Sequence, residues 1–242
     1  MNIQKKFIIF FIAIACINCY ANDFEKVFNF LKSGDNHLAF QEIEGISSTD
    51  DTIRIYSSIA KNLYYEKENI NLSSTVCHGA VSFAFRKYYS SNTSSKDEFL
   101  FKVSNLCDFI LKVCWNDFDN KKVISQKTLE TCLKIANENV KIAGILKKPE
   151  YELALNYFLL SRINFIENDS KKAFHNINMA IKLSKNSDLD DYNYYNAYNG
   201  FYNTKFGNLS SGKSIIELAK INLRTSKKEK AQRYIEEIKK LL

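Results

Sequence analysis

Apolar side chains recur at three- and four-residue spacing along most of the chain, and short polar clusters interrupt them about once per helix length. The stretch Tyr151–Lys185 shows this most clearly. Leu155, Leu159, Arg162/Ile163 and Ile166 fall on one face of a first helix, Glu167-Asn168-Asp169-Ser170 breaks the pattern, and Ala173, Ile177, Ala180 and Ile181 resume it. Asp169 or Ser170 is placed to cap the second helix by accepting a hydrogen bond from a free backbone N–H. The same reading predicts a helical hairpin over Asp23–Ile46, turning at Ser33-Gly34-Asp35-Asn36. Further helices are predicted from Ser48-Thr49-Asp50-Asp51 to about Lys67, from Ser73-Ser74-Thr75 to about Tyr89, and from the capping box Ser95-x-x-Glu98 to about Asn116. Others run from Ser125 to Ile145 (stopped by Gly144 and Pro149), from Asp188 to Phe206 (stopped by Gly207-Asn208) and from Ser211 to Leu223. A second capping box, Ser226-x-x-Glu229, opens the last. The sum is about eleven helices and no strand, an all-α chain of stacked antiparallel helix pairs. A single proline and seven glycines argue the same way, because a β-sandwich needs many tight turns. No linker rich in Pro, Gly or Ser divides residues 22–242, which read as a single helical domain.

Residues 151–187 resemble a tetratricopeptide (TPR) unit. That family places an aromatic, a leucine and a small residue in its first helix, then an aromatic, a polar turn and Ala-x3-aromatic. Here those places hold Tyr157, Leu160, Ser161, Phe165, Asn168-Asp169, Ala173 and Ile177, with Ala180 following. Residues 193–223 repeat the pattern 39 positions on: Gly200 stands for Ser161, Gly207-Asn208 for the turn, Gly212 for Ala173, and Ile216 and Ala219 for Ile177 and Ala180. Asp23–Ile46 is a weaker match, and residues 47–148 share only the pairing of helices. The resemblance implies a TPR-like α-solenoid whose first helices line a groove for a protein or peptide partner. It also implies that 226–242 is the capping helix such stacks need to stay soluble.

Residues 1–21 have the parts of a secretory signal peptide. Lys5-Lys6 give a basic start, Phe7–Cys16 are apolar, and Cys19-Tyr20-Ala21 supplies a small-x-small cleavage site. Cleavage after Ala21 is expected, and a lipidated Cys16 is the competing reading. The formal charge of +7 falls to +5 once Lys5 and Lys6 are removed, and residues 213–242, with nine basic and four acidic side chains, account for all of it. A neutral body with a basic tail excludes a nucleic-acid-binding surface spread over the main domain. The basic last helix carries Ala231, Tyr234/Ile235, Ile238 and Leu241 on one face. Besides capping the stack, such a helix can make peripheral contact with an acidic membrane.

Cleavage leaves Cys77, Cys107, Cys114 and Cys132, and disulfides persist in exported chains. Cys107 and Cys114 lie seven apart on one predicted helix, about 10 Å along its axis, too far for a bridge. In antiparallel neighbours, facing residues are nearly equidistant from the turn between them. That rule favours 77–107 with 114–132 over 77–114 with 107–132. No C-x2-C spacing suggests zinc, and no metal or other cofactor is expected.

Catalytic signals are sparse. His37, His78 and His175 are scattered, and no H-E-x-x-H, G-x-S-x-G or phosphate loop occurs. Cys77-His78 pairs a nucleophile with a base in sequence, but adjacent helix residues point about 100° apart. The most unusual composition is the run from Tyr192 to Tyr202. At helical spacing Tyr195, Asn199 and Tyr202 share one face, and Tyr194, Tyr198 and Phe201 another. One face is expected in the core and the other in the groove, with Phe158 and Arg162 extending it, so the candidate ligand residues are Phe158, Arg162, Tyr194, Tyr198 and Phe201. Tyrosine suits such a surface because its ring offers area and its hydroxyl a hydrogen bond at low entropic cost. The lysine/asparagine array of TPR carboxylate clamps is missing. The functional expectation is a non-enzymatic, exported scaffold for protein–protein interaction in the bacterial periplasm, with secretion or tethering through Cys16 as alternatives. The other class is an exported enzyme or toxin whose active region lies in residues 47–148.

Overall fold

Local capping chemistry sets most helix starts. The computed structural model describes residues 25–45, 48–90, 96–226 and 228–240, and among them are eleven helices and no strand. They are α1 (residues 25–33), α2 (Asn36–Glu44), α3 (Thr49–Tyr65), α4 (Ile70–Ser90), α5 (Lys96–Asp119) and α6 (Gln126–Ile145). There follow α7 (Glu150–Ile166), α8 (Ser170–Ser184), α9 (Leu189–Phe206), α10 (Leu209–Arg224) and α11 (Glu229–Lys239). Ser48, Ser125, Asp169, Asp188 and Asn208 each accept a hydrogen bond from a backbone N–H of the first turn, satisfying donors that the helix itself leaves free. The signal peptide, Cys16, Ser95 and Leu241 lie outside the described residues.

Two expected starts are corrected. α4 begins at Ile70, because Asn69 accepts from the N–H of Leu72 at 3.0 Å and so caps the helix earlier. Ser73 and Ser74 are buried inside it, and the Ser73 hydroxyl donates to the Ala60 carbonyl at 2.6 Å, joining α4 to α3. The second capping box does not form: α11 starts after Lys228 without a side-chain cap, and the Ser226 hydroxyl donates instead to Asp190 at 3.2 Å.

From α2 on, each helix packs on the next, and several also meet the next but one: α3 with α5, α4 with α6, α5 with α7, α9 with α11. This is the contact order of a stack of helical hairpins. Apolar burial falls into two clusters. One, centred on Tyr56, Val76, Leu100, Ile110 and Ile135, fills α1 to α6; the other takes Trp115 from the end of α5 and, with Phe165, Tyr198, Tyr202 and Ile216, fills α7 to α11. α7 belongs to both, with Leu159, Leu160 and Ile163 in the first and Ala154, Phe158 and Phe165 in the second. The expectation of one apolar face on this helix is therefore corrected: Phe158 to Phe165 are buried without a break. A helix buried all round belongs to a layer covered on both sides.

The small residues of the repeat pattern mark a close crossing of α9 and α10. A Cβ on Gly200 would lie 2.8 Å from the Gly212 carbonyl oxygen, and one on Gly212 would lie 2.6 Å from that of Gly200. In the preceding hairpin the corresponding Ser161 and Ala173 are fully buried. Among the described residues no helix is long and apolar enough to cross a membrane.

Candidate ligand cavity

The odd-numbered helices of the C-terminal half converge on one cavity. α5 brings Lys112, Trp115 and Asp119, and α7 brings Phe158 and Arg162. α9 supplies Tyr194, Tyr195 and Tyr198, and α11 closes the wall with Lys230, Arg233, Tyr234, Glu237 and Lys240. Its volume is about 500 Å³, within the usual range for small-ligand pockets. Four of the five expected groove residues line it. Phe201 does not, and that part of the expectation is corrected: its ring packs 5.0 Å from Phe165 in the core beneath.

The four lining residues are not loosely displayed. Phe158, Tyr194 and Tyr198 are each no more than 3% exposed, so they are core and cavity wall at once. Phe158 sits 4.6 to 5.4 Å from the rings of Tyr195, Tyr198 and Tyr194. The Tyr194 ring stacks on Tyr234 at 3.8 Å, and its hydroxyl donates to Glu237. Both contacts anchor α11 over the cavity. Burial, and then the neighbouring Tyr198, push the Tyr194 phenol above its ordinary range, so it stays a donor.

Arg162 is the residue without a counterpart. It is 7% exposed, and its guanidinium lies 4.1 Å from the Trp115 ring centre, 5.2 Å from Phe158 and 5.3 Å from Tyr198. Its buried Nε has no hydrogen-bond partner, and no carboxylate among the described residues pairs with it. A buried charge is costly unless paired, and the aromatic faces offset only part of that cost, about 2 kcal/mol for a desolvated cation. The rim adds Lys112, Arg233 and Lys240, none in an ion pair among the described residues. Lys230 is held by Asp191 at 2.6 Å and Asp188 at 3.3 Å.

The sequence reading missed Trp115, Tyr234 and Glu237. The only signal for them was the alternation of helices, which puts α5 and α11 on the same side as α7 and α9.

The cysteines meet as the antiparallel register required, but as thiols. All four are buried and free; the Cys77 and Cys107 sulfurs approach to 4.0 Å, and Cys132 lies close enough to Cys114 for the two thiols to interact. The expected disulfides are thus not formed in this structure. Burial, then the contact with Cys107, pushes the Cys77 thiol up; for Cys132 the Cys114 contact acts first and burial second. His78 is half-buried, and burial, then Lys134, lowers its pKa.

A second polar cluster ties α5, α6 and α7 together. Lys148 donates to the Ser104 hydroxyl at 2.9 Å, Ser104 donates to Asn139 at 2.7 Å, and Asn139 donates to Asp108 at 2.7 Å and Asn156 at 3.2 Å. Serine beside lysine is nucleophile–base chemistry in principle. Here the hydroxyl is completely enclosed and spends its proton on Asn139, so the cluster satisfies buried polar groups between helices. Among the described residues no group of three or more His, Cys, Asp or Glu side chains is placed to hold a metal ion. Comparison of the chain with protein-family models, curated proteins and solved structures gave no match.

Proposed function

We propose that this protein is an exported, TPR-like scaffold without enzymatic activity, and that it binds a protein or peptide partner on the face formed by its odd-numbered helices. The observation that carries the reading is the convergence of α5, α7, α9 and α11 on one aromatic, basic cavity. The first helices of the two best-matching units, 151–187 and 193–223, contribute to it, as the resemblance implies. Export to the periplasm rests on the signal-peptide features of residues 1–21, with tethering through Cys16 as the variant. In an oxidising compartment the facing thiols, Cys77 with Cys107 and Cys114 with Cys132, would close as disulfides.

A photo-crosslinking residue at Arg233, on the cavity rim, tests the binding face against one at Lys213, exposed on α10. A partner adduct from position 233 and none from 213 is expected in intact cell envelopes. Adducts from 213 alone would refute the assignment of the face. N-terminal sequencing of the same protein is expected to begin at Asn22, and an intact Met1 would refute export.

A further inference from the structure

The reading above leaves the partner's chemistry open, and Arg162 narrows it. Its guanidinium carbon lies 4.1 to 5.3 Å from the ring centres of Trp115, Phe158 and Tyr198, and aromatic rings take up charge without accepting its N–H hydrogen bonds in full. Nε is buried and unpartnered, and no hydrogen bond or ion pair among the described residues uses the rest of the guanidinium of Arg162, which lines the cavity. The cavity's two acids do not supply a partner: Glu237 accepts from Tyr194, and Asp119 makes no ion pair with Arg162 among the described residues. Against them stand Arg162, Lys112, Arg233 and Lys240, so the free charge of the lining is positive. A planar guanidinium among aromatic rings matches a carboxylate, which it can hold through two parallel hydrogen bonds. The surrounding rings match an apolar neighbour of that carboxylate.

Resting on the scaffold reading, we propose that the cavity receives an acidic segment of the partner chain: one Asp or Glu carboxylate seated on Arg162, and an adjacent apolar side chain against Phe158, Tyr194 and Tyr198. The volume of about 500 Å³ leaves room for about three residues of extended peptide. The site differs from a carboxylate clamp built of lysines and asparagines, because the cation among its aromatic rings is a buried arginine. It needs an acidic side chain and no free C-terminus.

Trp115 is the only tryptophan in the chain and contacts the guanidinium, so its fluorescence reads the site directly. The test titrates the full chain with N-acetylated, C-amidated Leu-Glu-Leu and with its Leu-Gln-Leu counterpart. The glutamate peptide is expected to change Trp115 emission and to bind about tenfold or more tightly than the glutamine peptide, the scale for a hydrogen-bonded charge. Arg162→Met is expected to abolish that preference, and Arg162→Lys to restore it only in part, since an ammonium lacks the planar fork. Melting curves establish that both variants fold, and the comparison of the two peptides on the unaltered chain needs no variant. Equal binding of the two peptides, or no response to either up to about 10 mM, would overturn the proposal. Hexanoate binding as tightly as the glutamate peptide would also overturn it, by assigning the cavity to small free acids. A partner cross-linked from position 233 without any preference for glutamate would overturn the carboxylate assignment alone and leave the scaffold reading standing.

Discussion

Replacing Gly200 by alanine sets two effects against each other, and the structure says which wins. In the interior of α9 a glycine costs the helix about 1 kcal/mol relative to alanine, so propensity alone favours the change. The added Cβ, however, would sit 2.8 Å from the Gly212 carbonyl oxygen and 2.9 Å from Ile216. The first of these is backbone and cannot rotate away. Overpacking of this kind costs about 1–3 kcal/mol, and with rigid backbone on one side the upper half of that range applies. The net expectation is a loss of about 1–2 kcal/mol, which lowers Tm by about 2–8 °C for a chain of this size. Gly212→Ala is expected to lose more, because its Cβ meets two backbone atoms, at 2.6 and 2.7 Å. The control is Gly144, inside α6, where a Cβ would meet nothing within 4 Å; Gly144→Ala is expected to gain about 0.5–1 kcal/mol. The double variant Gly200→Ala/Gly212→Ala should cost less than the sum of its parts, since one separation of α9 from α10 relieves both clashes. Thermal melts followed by helical circular dichroism measure all four. A Gly200→Ala protein as stabilised as Gly144→Ala would refute the close crossing and the reading of Gly200 as a packing residue.

Three further outcomes follow from the same geometry. Phe201→Ala, which empties core beneath the cavity, is expected to cost about 3–5 kcal/mol in a denaturant melt while leaving the glutamate preference of the remaining folded protein unchanged. Acid titration of stability should show two opposed carboxylates. Burial disfavours the Asp188 charge, but the Asp191 N–H and Lys230 outweigh it and hold its pKa below the ordinary 3.8, so its contribution is complete above that value and fades as pH falls through the lowered one. Burial, only partly opposed by Asn139, holds Asp108 above 3.8; its ionisation therefore destabilises the fold as pH rises through the raised value, and Asp108→Asn should gain relative stability over that interval in melts from pH 3 to 7. Native protein prepared under reducing conditions should react slowly with thiol reagents at all four cysteines, while protein recovered from an oxidising compartment should yield cross-linked peptides joining 77 to 107 and 114 to 132.

What could be read from the sequence was local. Ser48, Ser125, Asp169 and Asp188 announce their helices because a capping side chain acts within three residues of itself, whereas Asn208, read as a stop, also caps α10 and starts it at Leu209 rather than Ser211. The same logic misplaced the start of α4, where a serine–threonine cluster looked like a cap but its first two serines lie buried, Ser73 bridging to α3. Arg162, Phe158, Tyr194 and Tyr198 could be singled out by composition and by spacing along their own helices. Trp115 and Glu237 could not, because they reach the cavity through packing of helices two apart, and nothing in a one-dimensional pattern fixes that contact. Phe201 was misassigned for a related reason: a helix face about 100° wide spans both the cavity wall and the core beside it, and spacing alone does not divide them.

The enclosure of α7 bears on how this chain can be divided. In most hairpin stacks each turn is a natural place to cut, since every unit keeps its own apolar face and loses only one neighbour. Here a fragment ending before Glu150 surrenders Leu159, Leu160 and Ile163, which complete the packing of everything N-terminal to it. A fragment ending after Ile166 keeps them but presents Phe158 and Phe165 to water. The helix is a party wall: neither house stands without it, and whichever side retains it is left with an unplastered face. Halves of this protein are therefore poor reagents for assigning a function to one end, and substitutions in the intact chain are the sound way to separate the roles of its two clusters.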